Sequence, residues 1–155
     1  MHDDKNPKII IDGDACPKAV MNIISNETQI LGLRILVIAS FNHNISAFEH
    51  IIVGNEPQAA DLALINKTKS GDIVVTQDWG LAAMVLAKGG MCIAPNGYIY
   101  NKDKIDFMLE ERHIKAKHRR SGGRTKGLPP RDKEDDERFR RNFCKLLEST
   151  LESFG

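Results

Sequence analysis

The chain has few cysteines and few aromatic residues. Its three cysteines, Cys16, Cys92 and Cys144, are odd in number and widely spaced. This pattern excludes a disulfide framework and matches no zinc-binding spacing. Aromatic residues make up only 6% of the chain, so we expect no base-stacking surface of the kind used by single-strand-binding proteins.

Long apolar runs are also missing. No stretch approaches the roughly 18 apolar residues that span a membrane, and residues 1–5 lack the apolar region of a signal peptide. We therefore expect a cytoplasmic protein with no membrane partner. With 155 residues, 41% of them hydrophobic and 28% charged, the chain is predicted to form a single domain over 1–155. The sequence indicates no particular oligomeric state.

The formal net charge of +1 conceals two halves of opposite sign. Residues 1–111 carry 9 Lys/Arg against 14 Asp/Glu, and the rest of the chain carries 13 against 7. We divide the chain into an acidic α/β body (1–111), a basic Gly-rich segment (112–130) and a C-terminal helix (131–154) that packs on the body. An acidic body joined to a basic end is typical of metal chemistry applied to a polyanion.

Short β-branched runs alternate with helical patterns along the acidic body. Strands are predicted at 8–11, 33–39, 50–53, 73–75 and 91–94, and helices at 17–26, 57–67, 79–87 and 103–111. Alternation of this kind builds parallel sheets. The predicted fold is therefore α/β, a three-layer α/β/α arrangement around a mostly parallel central sheet of about five strands, with an added C-terminal helix whose apolar residues recur at helical spacing.

Carboxylates follow two of the predicted strands. Asp12 and Asp14 come directly after the first strand, and side chains two residues apart in an extended chain point the same way. Asp78 follows the fourth strand, and parallel strands would bring it to the same edge of the sheet. The other reading of Asp12 to Asp14 is an ordinary Asp-Gly turn that caps a helix.

Two carboxylates held this close are costly unless a cation lies between them. Mg²⁺ or Mn²⁺ is the simplest cation for a site made only of oxygen ligands. Thr76 would orient a carboxylate or a bound water, and Ser40, in the loop after the second strand, is predicted to support the site from the same edge. Asp72, Asp103 and Asp106 fall at a strand start or on a solvent-facing helix, so we exclude them.

The stretch 112–126 carries seven Lys/Arg, two His and no acid. Glycines at its centre would let the backbone approach phosphates closely. We predict that Arg119, Arg120, Arg124 and Lys126 bind a nucleic-acid backbone without reading bases. The alternative is a flexible linker with no partner.

These motifs resemble the bacterial YaiI/YqxD family, a domain of unknown function. The resemblance covers nearly the whole chain and rests on the strings Asp12-Gly13-Asp14-Ala15-Cys16-Pro17, Ala59-Ala60-Asp61, Thr76-Gln77-Asp78 and Arg119-Arg120-Ser121-Gly122-Gly123-Arg124. The family is similar to PIN-like nuclease domains. That similarity implies an α/β/α fold in which Asp12, Asp61 and Asp78 match acids that bind a divalent metal for cleaving nucleic acid. Asp14 belongs to the family's own Asp-x-Asp motif, and we expect the four residues together to bind one or two metals.

The function that this resemblance implies is Mg²⁺- or Mn²⁺-dependent phosphodiester hydrolysis, with RNA favoured over DNA as the partner. In place of a further acid that relatives often carry before the helical Asp61, this chain has Gln58. Two alternatives stay open: a phosphatase of the haloacid-dehalogenase type, in which Asp12 would be the nucleophile, and a non-catalytic nucleic-acid-binding module with a vestigial metal site. Cys16 is either a helix cap or a reactive thiol at a helix N-terminus.

Overall fold

The computed structural model describes residues 6–45, 48–56, 58–106 and 130–154. The strands are β1 (Ile9–Asp12), β2 (Ile35–Ala39), β3 (Glu49–Ile52), β4 (Ile73–Val75) and β5 (Met91–Ile93). The helices are α1 (Lys18–Thr28), α2 (Ala59–Lys67), α3 (Trp79–Ala87) and α4 (Lys133–Phe154). Residues Gly13–Ala15 form a 3₁₀ turn, and residues 102–106 are helical.

The sheet has five parallel strands in the order β3-β2-β1-β4-β5. The predicted parallel α/β fold is thus confirmed. From β1 the chain runs outward to β2 and β3, and then crosses back to β4 on the other side of β1. This reversal places a crevice outside the carboxyl ends of β1 and β4, which is where open α/β sheets bind ligands.

Helices cover both faces of the sheet. Ile9, Ile10 and Ile11 are all fully buried, and because side chains alternate along a strand they serve different layers. Ile9 and Ile11 pack with residues of α1 and α4, whereas Ile10 packs with residues of α2 and α3. The continuous apolar run at β1 therefore identifies a central strand with two buried faces.

Helix α4 is part of the main core. Phe139 and Phe143 are fully buried in the cluster that contains β1 and α1, with ring centroids 5.3 Å apart and nearly parallel planes. The Cys144 thiol lies 3.3 Å from a carboxylate oxygen of Glu27 on α1. The C-terminal helix therefore packs on the body, and Cys144 belongs to that packing, while Cys92 is buried in the core.

The amino edge of the sheet is closed by a buried ion pair. The Lys8 Nζ donates to Asp72 Oδ2 at 2.6 Å, and the backbone N–H groups of Lys8 and Lys69 also donate to this carboxylate. Asp72 thus lies at the end of the sheet opposite to the carboxyl edge. It has a structural role, in agreement with its exclusion from the predicted site.

The predicted helices and strands agree with the structure apart from one or two residues at several ends. Helix α1 begins at Lys18 with Pro17 as its N-cap, so the alternative in which Cys16 caps this helix is wrong. Residues 107–111 of the predicted helix 103–111 lie outside the described residues. Within the part of the chain that the structure describes, no helix combines the length and apolar character needed to cross a membrane.

Candidate functional site

The candidate site lies at the carboxyl edge, where β1 and β4 end side by side. Asp12 is the last residue of β1, and Asp78 follows β4 and caps the first turn of α3 by accepting the Leu81 N–H at 3.2 Å. The two strands pair in register. The prediction that parallel strands bring Asp12 and Asp78 to one edge therefore agrees with the geometry.

Thr76 links these two residues. Its buried hydroxyl donates to Asp12 Oδ2 at 2.9 Å and accepts the Asp78 N–H at 3.1 Å. The Thr76 backbone is fixed in turn, because its N–H donates to the Ile93 carbonyl and its carbonyl accepts the Tyr100 hydroxyl at 3.0 Å. Thr76 therefore sets the orientation of the Asp12 carboxylate, as the sequence predicts.

Asp14 is held by the loop after β2. The Ser40 N–H donates to both carboxylate oxygens at 3.0 and 3.1 Å, and its hydroxyl lies 3.2 Å from Oδ1. Gly13 permits this approach, since a Cβ at residue 13 would lie 2.6 Å from Val37 Cγ1. Ser40 thus supports the site through Asp14.

Asp61 faces Asp14 across a cleft of about 190 Å³. Asp61 lies in the first turn of α2, and Gln58, the N-cap of that helix, adopts a left-handed backbone with φ of 70°. The cleft is lined by Asp14, Ser40, Val53, Gly54, Asn55, Glu56, Gln58, Ala60 and Asp61. The cleft therefore contains a further carboxylate, Glu56, that the predicted site did not include. It lies two residues before Gln58, the position at which relatives often carry an acid.

The carboxylates of the edge influence one another electrostatically. Burial raises the pKa of Asp12, the Thr76 hydrogen bond lowers it, and the charges of Asp61, Asp14 and Asp78 raise it further. Burial also raises the pKa of Asp61, with a contribution from Asp78. Like charges that disfavour ionisation in this way create a demand for a cation.

The donor set fits a hydrated hard cation. Among the described residues, no three His, Cys, Asp or Glu side chains form a ready-made ligand cage. Mg²⁺ does not require one, because it usually keeps several waters and takes one or two carboxylates from the protein. Asp12 would be the direct ligand, since its Oδ1 makes no hydrogen bond within the described ranges, and its acidic neighbours would hold metal-bound water.

Cys16 is not an activated thiol. Burial raises its pKa to about 12, with Arg131 lowering it and Asp12 raising it, and its Sγ lies 3.7 Å from the Pro17 carbonyl oxygen. A thiol with this pKa stays protonated at neutral pH and is a poor nucleophile. Of the two roles considered for Cys16, the structure therefore supports neither.

The predicted backbone-binding residues Arg119, Arg120, Arg124 and Lys126 lie outside the described residues. The described residues near both ends of that stretch lie close to the carboxyl edge of β5. Arg131 Nη1 donates to the Pro95 carbonyl at 2.6 Å, and Lys104 lines a cleft with Asn96 just after β5.

Sequence reasoning missed Glu56 and Phe41. Glu56 lines the acidic cleft, and Phe41, next to Ser40, exposes 55% of its surface. Both follow predicted strands of a parallel sheet, so their position after a strand was an available signal for each. The sequence predicts that the loop after the second strand lies at the carboxyl edge, where ligands bind, without assigning Phe41 a role.

The fold and the edge together define a three-layer α/β protein with an open parallel sheet and a carboxylate-lined crevice at its switch point. The chain matches the uncharacterized YaiI/YqxD family over residues 10–149. It therefore belongs to the YaiI/YqxD family, as the motif resemblance indicates.

Relatives match the chain over most of its length. A UPF0178 protein of Heliobacterium modesticaldum is 44% identical over 132 residues, which is 85% of this chain and 90% of that protein. One from Clostridium perfringens is 45% identical over 143 residues, with 91% and 95% covered. One from Alkaliphilus metalliredigens is 43% identical over 147 residues, with 93% and 94% covered. No solved structure matches the chain.

Proposed function

We propose that this protein is a divalent-metal-dependent nuclease that hydrolyses phosphodiester bonds, with RNA as the favoured substrate. The observation that carries the proposal is the convergence of separate chain segments at one edge. Asp14, Asp61 and Asp78, which come from three different loops or helices, all act on the ionisation of Asp12. Acids gathered at the carboxyl edge of an open parallel sheet supply the oxygen ligands that Mg²⁺ or Mn²⁺ takes, and a bound cation would relieve their repulsion.

Each acidic residue has a role that follows from its anchoring. Asp12, oriented by Thr76, would bind the ion directly, and Asp14, held by Ser40, would bind the ion or its water from the other side. Asp61 and Asp78 would orient the attacking water in line with the scissile bond. When bound, the ion would polarise a phosphate oxygen and lower the pKa of that water.

The distribution of charge supports a polyanionic substrate. An acidic cleft alone repels phosphate, so a nuclease needs cations close to its metal site. The basic stretch 112–126 carries seven Lys/Arg. Arg131, a few residues after that stretch, lies near enough to Cys16 for its charge to lower the pKa of the thiol. The Lys and Arg residues of the basic stretch would hold the phosphodiester backbone without reading bases.

The deciding experiment measures cleavage of labelled RNA and DNA with Mg²⁺, with Mn²⁺ or with a chelator. We expect metal-dependent cleavage that Asp12→Asn reduces by more than about 100-fold, because removal of a metal ligand should exceed the roughly 10- to 100-fold effect of losing its hydrogen-bond partner. Thr76→Val should give that smaller loss. The matched control is Asp106→Asn, which alters an exposed carboxylate outside the site and should leave the rate unchanged.

Two results would contradict the proposal. Release of inorganic phosphate from small phosphate esters without RNA cleavage would indicate a phosphatase of the haloacid-dehalogenase type instead. RNA binding that is equal in wild type and Asp12→Asn, with no cleavage by either under any metal, would indicate a binding module.

A further inference from the structure

An exposed phenyl ring follows Ser40 in the chain, and Ser40 lines the acidic cleft. Phe41 exposes 55% of its surface, and its neighbour Ser40 makes three hydrogen bonds to Asp14. Because Ser40 is tied to the acid, the position of the next residue relative to that acid is also set. An exposed ring at this position offers a face on which a planar group can stack.

The Phe41 ring is supported from behind. Its centroid lies 4.3 Å from that of His43, and His43 lies 6.4 Å from His50 with nearly parallel planes. A Cβ on Gly13 would lie 3.2 Å from His43 Nε2, so the imidazole packs on the turn between Asp12 and Asp14. The Phe41 ring therefore rests on His43, which is itself packed between His50 and the turn at Gly13.

A second aromatic group flanks the acids on the other side. Trp79, next to Asp78, has its ring centroid 5.3 Å from that of Tyr98 and 4.6 Å from that of Tyr100. Tyr98 also lines a cleft of about 430 Å³, a volume within the usual range for small-molecule sites. Its other walls are Asn96, Gly97, Ile99, Asn101, Lys104, Arg138 and Asn142.

The strand order sets these aromatic groups on opposite sides of the acids. Phe41 follows β2 and Tyr98 follows β5, while Asp12 and Asp78 follow the two strands between them. Neighbouring strands are about 4.8 Å apart, so the strand ends that carry the two groups are separated by about 14 Å. A chain of a few nucleotides can cross this distance with its backbone over the acids.

We propose that the substrate is single-stranded nucleic acid, with one base stacked on Phe41 and another nucleotide in the cleft beside Tyr98. This inference rests on the proposed nuclease function and names its substrate class. Aromatic rings stack on the faces of unpaired bases, which a duplex keeps covered. The amide side chains of the cleft can hydrogen-bond base edges, and Lys104 can pair with a phosphate. This proposal differs from the expectation, drawn from the low aromatic content, that the chain has no base-stacking surface.

Binding measured without cleavage tests the proposal. Fluorescence anisotropy in Mg²⁺, with the Asp12→Asn background suppressing cleavage, would compare a labelled oligouridine with an RNA duplex of equal length. We expect Phe41→Leu to weaken single-strand binding about 5- to 150-fold, the range for loss of one aromatic stack, and to leave duplex binding unchanged. Phe41→Tyr keeps a stacking ring and should retain the affinity. The matched control is Met84→Ala, which removes an apolar side chain that is 50% exposed on α3.

The inference is overturned if the duplex binds as tightly as the single strand, if Phe41→Leu and Phe41→Tyr bind alike, or if neither nucleic acid binds. Its failure is separable from failure of the proposed function. RNA cleavage with no effect of Phe41→Leu would remove the stacking role and keep the nuclease. A Phe41-dependent preference for single strands without cleavage would remove the nuclease and keep the stacking role.

Discussion

Gly13 shows how a single residue shapes the acidic edge. The space beside it is filled by Val37, Ala39 and His43, so only glycine lets the turn after β1 lie against β2. This close approach is what brings Asp14 within hydrogen-bonding distance of Ser40. The Asp-Gly-Asp string therefore encodes the spacing of two carboxylates as well as their charge.

Asp12→Asn should stabilise the protein when no divalent metal is present. Folding raises the pKa of Asp12 above its ordinary value of 3.8. As pH rises above 3.8, the Asp12 carboxyl therefore loses its proton in the unfolded chain before it does so in the folded protein. Stability contributed by this group therefore falls until the raised pKa is passed. At about pH 7 we expect Asp12→Asn to gain about 0.5 to 2 kcal/mol in urea unfolding with chelator, and to gain less near pH 4.

Saturating Mg²⁺ provides the control for this prediction. Metal that binds only the folded state stabilises wild type by mass action, so the order of the two proteins should reverse. Identical stability of wild type and variant at every pH in chelator would contradict the repulsion inferred at Asp12.

The sequence predicts the positions of site residues that lie at or just after the end of a strand better than those of residues in loops. Asp12 ends β1 and Asp78 follows β4, and both strands have clear apolar runs, so parallel pairing predicts that the two carboxylates lie at one edge. Glu56 and Phe41 lie in loops, where neither hydrophobic period nor propensity specifies the path of the chain. Phenylalanine is usually a core residue, so the sequence does not predict that Phe41 is 55% exposed.

At the level of elements, apolar patterning carried most of the information. Strand β4 and helix α3 were predicted with the bounds that the structure has, because buried β-branched runs and an Ala/Leu-rich stretch closed by Gly-Gly admit few other readings. The sequence predicts Pro17 in the first turn of α1, where its missing N–H costs nothing. Here the backbone at Pro17 is extended, with ψ of 147°, and the helix begins one residue later.

Asp72→Ala should cost far more stability than any substitution in the acidic cleft. The Lys8 and Asp72 side chains are only 11% and 3% exposed, so the variant leaves an ammonium buried without its partner. We expect a loss of about 3 to 5 kcal/mol in urea unfolding.

A double variant separates charge from hydrogen bonding at this ion pair. Lys8→Met with Asp72→Asn removes both charges and keeps one side-chain oxygen, which can accept only one of the two backbone N–H donors, so it should recover part of the loss. A cost below about 1 kcal/mol for Asp72→Ala would mean that the pair behaves like one at the surface.

For the molecule as a whole, the separation of charge predicts a salt-dependent interaction. Replacing both Arg119 and Arg120 by alanine should weaken single-strand binding and make the slope of log K against log salt shallower by about 1.4, from two lost phosphate contacts. The matched control is Arg140→Ala with Arg141→Ala, an adjacent exposed pair on α4. Equal slopes for the two double variants would contradict a specific role for the Gly-rich segment.

The order of the strands was beyond the reach of sequence reasoning. Alternating strands and helices indicate a parallel sheet, yet many orders satisfy that pattern. The observed order depends on which face each crossover helix covers, and this is decided by packing between residues distant in the sequence, such as Ile9 of β1 and Phe143 of α4.

The burial of Phe139 and Phe143 against β1 and α1 means that the amino-terminal body and the carboxyl-terminal helix are joined by interlocked side chains as well as by the covalent chain. A single peptide-bond break between residues 106 and 130 would therefore leave two fragments that remain associated and copurify. The intact backbone across that interval would then matter for how fast the native state is reached rather than for holding its halves together.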